Sequence, residues 1–327
     1  MSREQLRGLD RPPVAEVSEL FEPLPERARL QRRLGVSPEV ARARLLYEYE
    51  RLPSERFSTI QRAEGAHLAY SRPSPWLSER LARPVFQLRH LLGQSVEGRV
   101  MALEERLGAL RAEAPGGLVI MRVPCSSVEL NQRLPALGLK WVGVEMTGVI
   151  KIDEPPEPPP ASLGGQRLRF GELGDEILSQ AQDITRSAHS HNHFEYDPLI
   201  SREVARTLFQ DQVALHLRSE RAKPFGAMLD GESGVELCGF IVANRVEGFV
   251  PFGGPKLANL DLICVNPQRQ LRGLGHALNL TALSWLYGEG VRRVSVRTMV
   301  NNFAAQSILS RVGWRALLSE AVYHLHL

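Results

Sequence analysis

The chain has 327 residues, 43% of them hydrophobic and 24% charged, a globular composition with room for two ordinary cores. Its 40 basic and 37 acidic residues leave a formal net charge of +3, too balanced for a nucleic-acid-binding surface. No apolar run reaches membrane-spanning length, the first residues lack a signal-peptide core, and Cys125, Cys238 and Cys264 are odd in number and far apart. The expectation is a cytoplasmic protein with free thiols and neither membrane nor nucleic-acid partners.

In chain order, residues 1–55 read as a charged extension with Pro12, Pro13, Pro23 and Pro25 and a helical stretch from Val40 to Tyr49. Residues 56–153 read as a first domain. It ends in β-prone Val119-Ile120-Met121-Arg122, an apolar pattern through Leu130, Leu134 and Leu137, then Gly138 and a β-like tail from Trp141 to Ile152. Residues 154–163 form a linker, with prolines at 155, 156, 158, 159 and 160 that favour an extended spacer.

Residues 164–327 read as a second domain. Strands are predicted over 167–171, 235–243, 259–265, 291–298 and 321–327, and helices over 175–189, 202–219, 273–287 and 302–311. The sum is an α+β fold, an α/β/α sandwich about a mixed, mostly antiparallel sheet. The ends of the two halves also repeat. Arg122 aligns with Arg297 and Gly138 with Gly313 at one offset of 175 residues, without a gap.

The most informative stretch is 262–278. An apolar β-prone run ends at Val265, a basic loop follows, and a helix opens on its second glycine. Gly273 and Gly275 remove side chains where a ligand must approach closely, and a helix N-terminus attracts an anion. The segment therefore suits a phosphate or pyrophosphate. It is neither a nucleotide-triphosphate loop, which needs Lys-Ser/Thr, nor a dinucleotide Gly-x-Gly-x-x-Gly.

Gln270-Leu271-Arg272-Gly273-Leu274-Gly275, after Val265, resembles the Gln/Arg-x-x-Gly-x-Gly/Ala loop of the GCN5-related N-acetyltransferases (GNAT). Asn302, Ala305, the apolar pair Ile308-Leu309 and Gly313-Trp314 resemble that family's next block, in the right order. The resemblance implies a GNAT fold in the second domain, preceded by a degenerate GNAT-like half without the cofactor loop. It implies acetyl-CoA or another acyl-CoA as cosubstrate. The backbone of Ile263, Cys264 and Val265 would hold the pantetheine arm and thioester carbonyl. Gln270, Leu271, Arg272, Gly273, Leu274, Gly275 and His276 would take the pyrophosphate, with Arg269 and Arg272 adding charge. Asn302 and Ala305 would flank the pantetheine.

Acyl transfer to an amine also needs a base and an acid. Asp261 breaks an apolar run four residues before Val265, where some family members place a base. The polar run 189–197 supplies further candidates: His193 as a catalytic group, and His191, Asn192, Glu195 and Asp197 as binders of a polar acceptor. Asn192-His193-Phe194 stands where the TDP-fucosamine acetyltransferases, which also have two domains, carry Ser-Arg-Phe. Three alternating histidines with no evident fourth ligand carry no expectation of a metal. The family's usual tyrosine, seven residues after the asparagine, is here Leu309, with Ser310, Tyr323 or water as substitutes. The expected activity is acyl transfer from coenzyme A to a primary amine of an amino sugar, small metabolite or peptide. The alternative is a non-catalytic acyl-CoA sensor or scaffold.

Overall fold

The computed structural model describes residues 25–51, 56–63, 65–188, 191–210, 212–231 and 234–327. The elements of the first half are α1 (Pro25–Leu34), α2 (Pro38–Arg51), β1 (Phe57–Arg62), β2 (Gly65–Pro73), α3 (Pro75–Arg80), β3 (Val85–Leu92), α4 (Val96–Glu113), β4 (Leu118–Pro124), α5 (Val128–Arg133) and β5 (Lys140–Lys151). A small ribbon of β6 (Ser162–Leu163) and β7 (Gln166–Arg167) follows. The second half continues with β8 (Arg169–Glu172), α6 (Leu178–Ala188), α7 (Arg202–Thr207), α8 (Gln212–Leu217), β9 (Ala222–Gly231), β10 (Gly234–Val246), β11 (Leu257–Val265), α9 (Leu274–Gly288), β12 (Arg293–Met299), α10 (Phe303–Arg311) and β13 (Arg315–His326).

The contacts divide the described chain into two compact units, one of residues 25–28, 38–144 and 319–327, the other of 29–37 and 145–318. In the first, the strand order is β1-β2-β3-β4-β13, and only β3 and β4 run parallel. Helix α4 makes the crossover between them. It buries Leu103, Leu107 and Leu110, spaced along one helical face, against Val119, Met121 and Val123. Ser95 starts this helix by accepting the Gly98 amide.

In the second unit the order is β5-β12-β11-β10-β9-β8, with β11 and β12 as the parallel pair. Helix α9 crosses over on one face, where Leu274, Leu278, Ala282 and Leu286 meet Ala258, Leu260, Val294 and Val296. On the other face Ala181 and Ile184 of α6 meet Phe240, Val242, Leu262 and Cys264. Burying each such large apolar side chain contributes roughly 1.5–3 kcal/mol, so the sandwich is held mainly from these two sides.

The units share one topology. The bounds of β4 and β12, and of β5 and β13, coincide when shifted by 175 residues, and Gly138 and Gly313 both adopt left-handed φ, +85° and +78°. The first strand of each parallel pair also carries the same irregularity against its antiparallel neighbour. The extra residue is Asp261 where β10 pairs β11, and Arg89 where β2 pairs β3.

The division of contacts differs from the linear one read in the sequence. Residues from Glu145 through the end of β5 belong to the second unit, where they pair β12. Residues from Ser319 onward belong to the first, where they pair β4. The repeats thus exchange their closing strands, and alternation along a strand does not encode which sheet it joins. The predicted helix over 202–219 is two short helices, and β9, a full strand, has no counterpart in the sequence reading. Among the described residues no helix is long and apolar enough to cross a membrane.

Candidate active site

Strands β11 and β12 pair from Leu257↔Arg293 to Leu260↔Val296 and no further. Beyond Leu260, β11 stays paired with β10 up to Val265, while β12 continues along β5. The two parallel strands therefore part. In an antiparallel pair every second residue turns its peptide groups away from its partner. Along 261–265 those groups meet the gap instead of β12.

The loop after Val265 turns through Asn266, whose side chain accepts the Gln268 amide, and reaches Gly273 at φ +94°. Gly273 occupies the N-cap of α9 and offers no side-chain cap, in contrast to Ser95 on α4 and Asn302 on α10. Among the described residues the amides of Gly275 and His276 have no backbone acceptor. Gly275 packs closely on α10: a β-carbon there would lie 2.6 Å from Ile308 Cδ1 and would displace that methyl. The helix start is thus held against α10 with its orphan amides open, the arrangement that attracts an anion.

These features line a single cleft of about 620 Å³. Ile263, Cys264, Val265, Gln270, Leu271, Arg272, Gly273, Leu274, Gly275, His276, Asn302 and Ala305 all contribute to its wall. So do Arg311 and, from the end of α6, Ser187 and Ala188, which sequence reasoning missed. Among the described residues, none gives the buried His276 Nδ1 a hydrogen-bond partner. Burial pushes the Cys264 thiol up to about 12, so this residue offers the cleft a backbone, not a nucleophile. Arg269 does not line the cleft. Glu236 holds its guanidinium in a two-pronged ion pair at 2.7 and 2.9 Å, pinning the loop to β10.

At the matching place in the first unit, three residues, 93–95, join β3 to α4. The His67 ring fills the space under this helix start: a β-carbon on Gly93 or Gly98 would lie 2.2 or 2.4 Å from it. His67 Nε2 accepts the Ser95 amide at 3.3 Å. With Ser95 capping Gly98 as well, the first turn of this helix is met by side chains of the same unit.

Asp261 lies at the bulge, exposed, and accepts the Asn244 side-chain amide at 2.9 Å. It shares a small recess of about 180 Å³ with Thr147, Asn259, Leu260, Ser295 and Arg297. His216 of α8 feels its charge: burial lowers the imidazole's pKa and the Asp261 carboxylate opposes that shift. No motif marks His216 or Ser295 in the sequence, and Arg297 is marked there only by the repeat.

The run expected to bind the acceptor divides between the cleft and a buried turn. His189 and Ser190 lie outside the described residues. His191 lines the cleft. Asn192 is buried and caps a 3-10 turn over His193–Tyr196, accepting the Phe194 and Glu195 amides and donating to Ala205. His193 is buried with its ring 4.1 Å from that of Phe194 and lines neither recess. Glu195 pairs with Arg206 at 3.7 Å, and burial raises its pKa despite Arg206 and His191. Asp197 is buried and accepts the Leu199 amide. Asn192 and Asp197 thus shape the turn.

The substitutes for the missing tyrosine have partners of their own. Leu309 is 4% exposed in the α9-side core. Ser310 donates to the Ser307 carbonyl, and Tyr323 belongs to the first unit, where its hydroxyl meets Asn131 Oδ1 at 3.0 Å.

Residues 183–314 match the model of the acetyltransferase (GNAT) family. No curated protein matches the sequence. Among solved structures, the chain is similar to a GCN5-related N-acetyltransferase from Sphaerobacter thermophilus, at 16% identity and a TM-score of 0.60, with 97% of this chain and 94% of that one covered. It is also similar to a tandem GNAT protein from the clavulanic acid biosynthesis pathway, at 14% identity and a TM-score of 0.56, with 96% and 94% covered. A third likeness is to a fungal multi-domain β-N-acetylglucosaminidase with a GCN5-related glucosamine N-acetyltransferase region. There the identity is 12% and the TM-score 0.56, with 88% of this chain and 37% of that chain covered. At these identities the likeness is one of fold.

Proposed function

From the premise that residues 183–314 form an acetyltransferase domain of the GNAT family, we propose that the protein transfers an acetyl or other acyl group from coenzyme A to a primary amine. The observation that carries this reading is the uncapped start of α9, opening on a cleft that runs to the gap between β11 and β12. The amides of Gly275 and His276 would hold the pyrophosphate, with Arg272 and Arg311 supplying charge. The freed peptide groups of 263–265 would hold the pantetheine and polarise the thioester carbonyl.

The amine nitrogen bonds to the carbonyl carbon, the carbon–sulfur bond breaks, and the thiolate leaves. The amine proton passes to Asp261, two strand residues from Ile263, and His216 feels the charge of that carboxylate. Solvent in the open cleft returns a proton to the thiolate, which is a fair leaving group without an acid. The protein lies in the cytoplasm in this reading.

The buried Leu309 favours a second reading, an acyl-CoA sensor without turnover, because no side chain in the family's acid position faces the cleft. Thiol release from acetyl-CoA separates the two. Amine-dependent release is expected for the full chain and should fall in Asp261→Asn. Tight acetyl-CoA binding without release across amino sugars, polyamines, amino acids and peptides would establish the sensor instead.

A further inference from the structure

We infer that the acceptor is a small zwitterionic amine, whose amino group Asp261 receives and whose acidic group Arg297 holds. This rests on the acyltransfer reading and names the substrate class of that site. The recess has five polar side chains among six lining residues. Val294 and Val296 of β12 face the α9-side core, so Ser295 and Arg297, alternating with them, face the opposite side of the sheet. Thr147 of β5 sits in register with Arg297, and Asn259 of β11 with Ser295. Three strands thus contribute to one polar surface beside the gap.

The charges there are arranged for a ligand with two ends. Among the described residues Asp261 accepts a bond only from Asn244, through Oδ2, which leaves Oδ1 open. Arg297 has one described partner, Glu145, at a long 3.4 Å, and half of its side chain is exposed. Asp261 and Arg297 line the same small recess yet form no ion pair among the described residues. A molecule carrying both charges satisfies both. A polyamine meets a like charge at Arg297, and a neutral amine leaves the guanidinium without a ligand partner.

The order of the strands sets the orientation. Asp261 precedes Ile263 of the acyl cleft by two residues, roughly 6.6 Å along a strand. An amine held at Asp261 therefore faces the acyl carbon. Arg297 stands on β12 after it has parted from β11, so the acidic end points away from the cleft. Acylation removes the amine's charge and with it the contact to Asp261, which favours product release.

The test compares acetyl transfer by the full chain to glycine, β-alanine and 4-aminobutyrate with transfer to their methyl esters and to putrescine. At least one acid should exceed its ester in kcat/KM by about tenfold, the lower end for a charged hydrogen bond. Arg297→Gln should remove that preference by raising KM for the acid, with the ester and the acetyl-CoA affinity unchanged. Arg297→Lys should restore part of it, and Arg297→Glu should turn the preference toward putrescine. Equal use of acids and esters, or equal loss of both in Arg297→Gln, overturns the inference and leaves acyl transfer standing. Absence of acetyl-CoA binding together with absence of transfer to any amine overturns both.

Discussion

Asn244 donates its side-chain amide to Asp261 Oδ2 at 2.9 Å, tying β10 to β11 at the bulge where β11 begins to leave β12. The bond fixes the carboxylate beside the gap and leaves its second oxygen toward the recess. If Asp261 takes the amine proton, Asp261→Asn should lower kcat by roughly 10²–10⁴, the usual worth of a positioned base. Acetyl-CoA affinity should not change. Raising the pH should recover part of the loss, because the amine then deprotonates unaided. Asn244→Ala removes a hydrogen bond to the carboxylate, worth about 1.5–3 kcal/mol, and should cost roughly tenfold to a hundredfold in kcat. Steady-state kinetics with both substrates varied would check each value, and an unchanged kcat in Asp261→Asn would pass the role to His216.

Leu309→Tyr should not create a better enzyme. The side chain lies in the α9-side core at 4% exposure, so a phenol there overpacks the core and does not reach the cleft. The expected result is a loss of about 1–3 kcal/mol of stability with no gain in kcat. A denaturant titration beside the rate measurement would detect both, and an increased kcat would place this turn of α10 at the reaction.

His90 in the first unit should make stability depend on acid. Burial lowers its pKa to about 4, with Glu48 opposing, so the folded protein holds it neutral. The unfolded chain takes up the proton near the ordinary histidine value of about 6.5. Its contribution is therefore complete above about pH 6.5 and is lost as pH falls toward 4, by on the order of 3 kcal/mol in all. His90→Gln should flatten that part of the stability–pH curve. A slope that persists unchanged would assign it to other groups.

The filled space under α4 predicts that the first unit responds to substitution without affecting cofactor. Gly98→Ala would place a β-carbon 2.4 Å from the His67 ring and must displace it. The expected outcome is a lower melting temperature with acetyl-CoA affinity unchanged. Weakened affinity would tie the two helix starts together.

The sequence reveals the cleft better than the acceptor side, for physical reasons. A helix start that must hold an anion needs glycine where other helices carry a cap, and Gly273 and Gly275 are visible at their spacing. The repeat is visible because Gly138 and Gly313 both need left-handed φ at the same offset. The exchange of β5 and β13 is not, since their alternation suits either sheet. Nor is the recess at Asp261, because Thr147 on β5 and Ser295 and Arg297 on β12 meet Asp261 on β11 only through strand pairing. Within the run 189–197, Asn192 and Asp197 each bond neighbouring backbone, as Asn and Asp commonly do in turns, and the sequence alone does not separate that role from ligand binding.

The most direct test of the central claim is calorimetric titration of the full chain with acetyl-CoA, beside Gly273→Asp. That substitution puts a carboxylate where the anion belongs and forces a non-glycine residue to φ +94°. One acetyl-CoA bound per chain, lost in Gly273→Asp while the fold persists by circular dichroism, is the predicted result. Full affinity in that variant, or two molecules bound per chain, would contradict the assignment of the cleft at the start of α9.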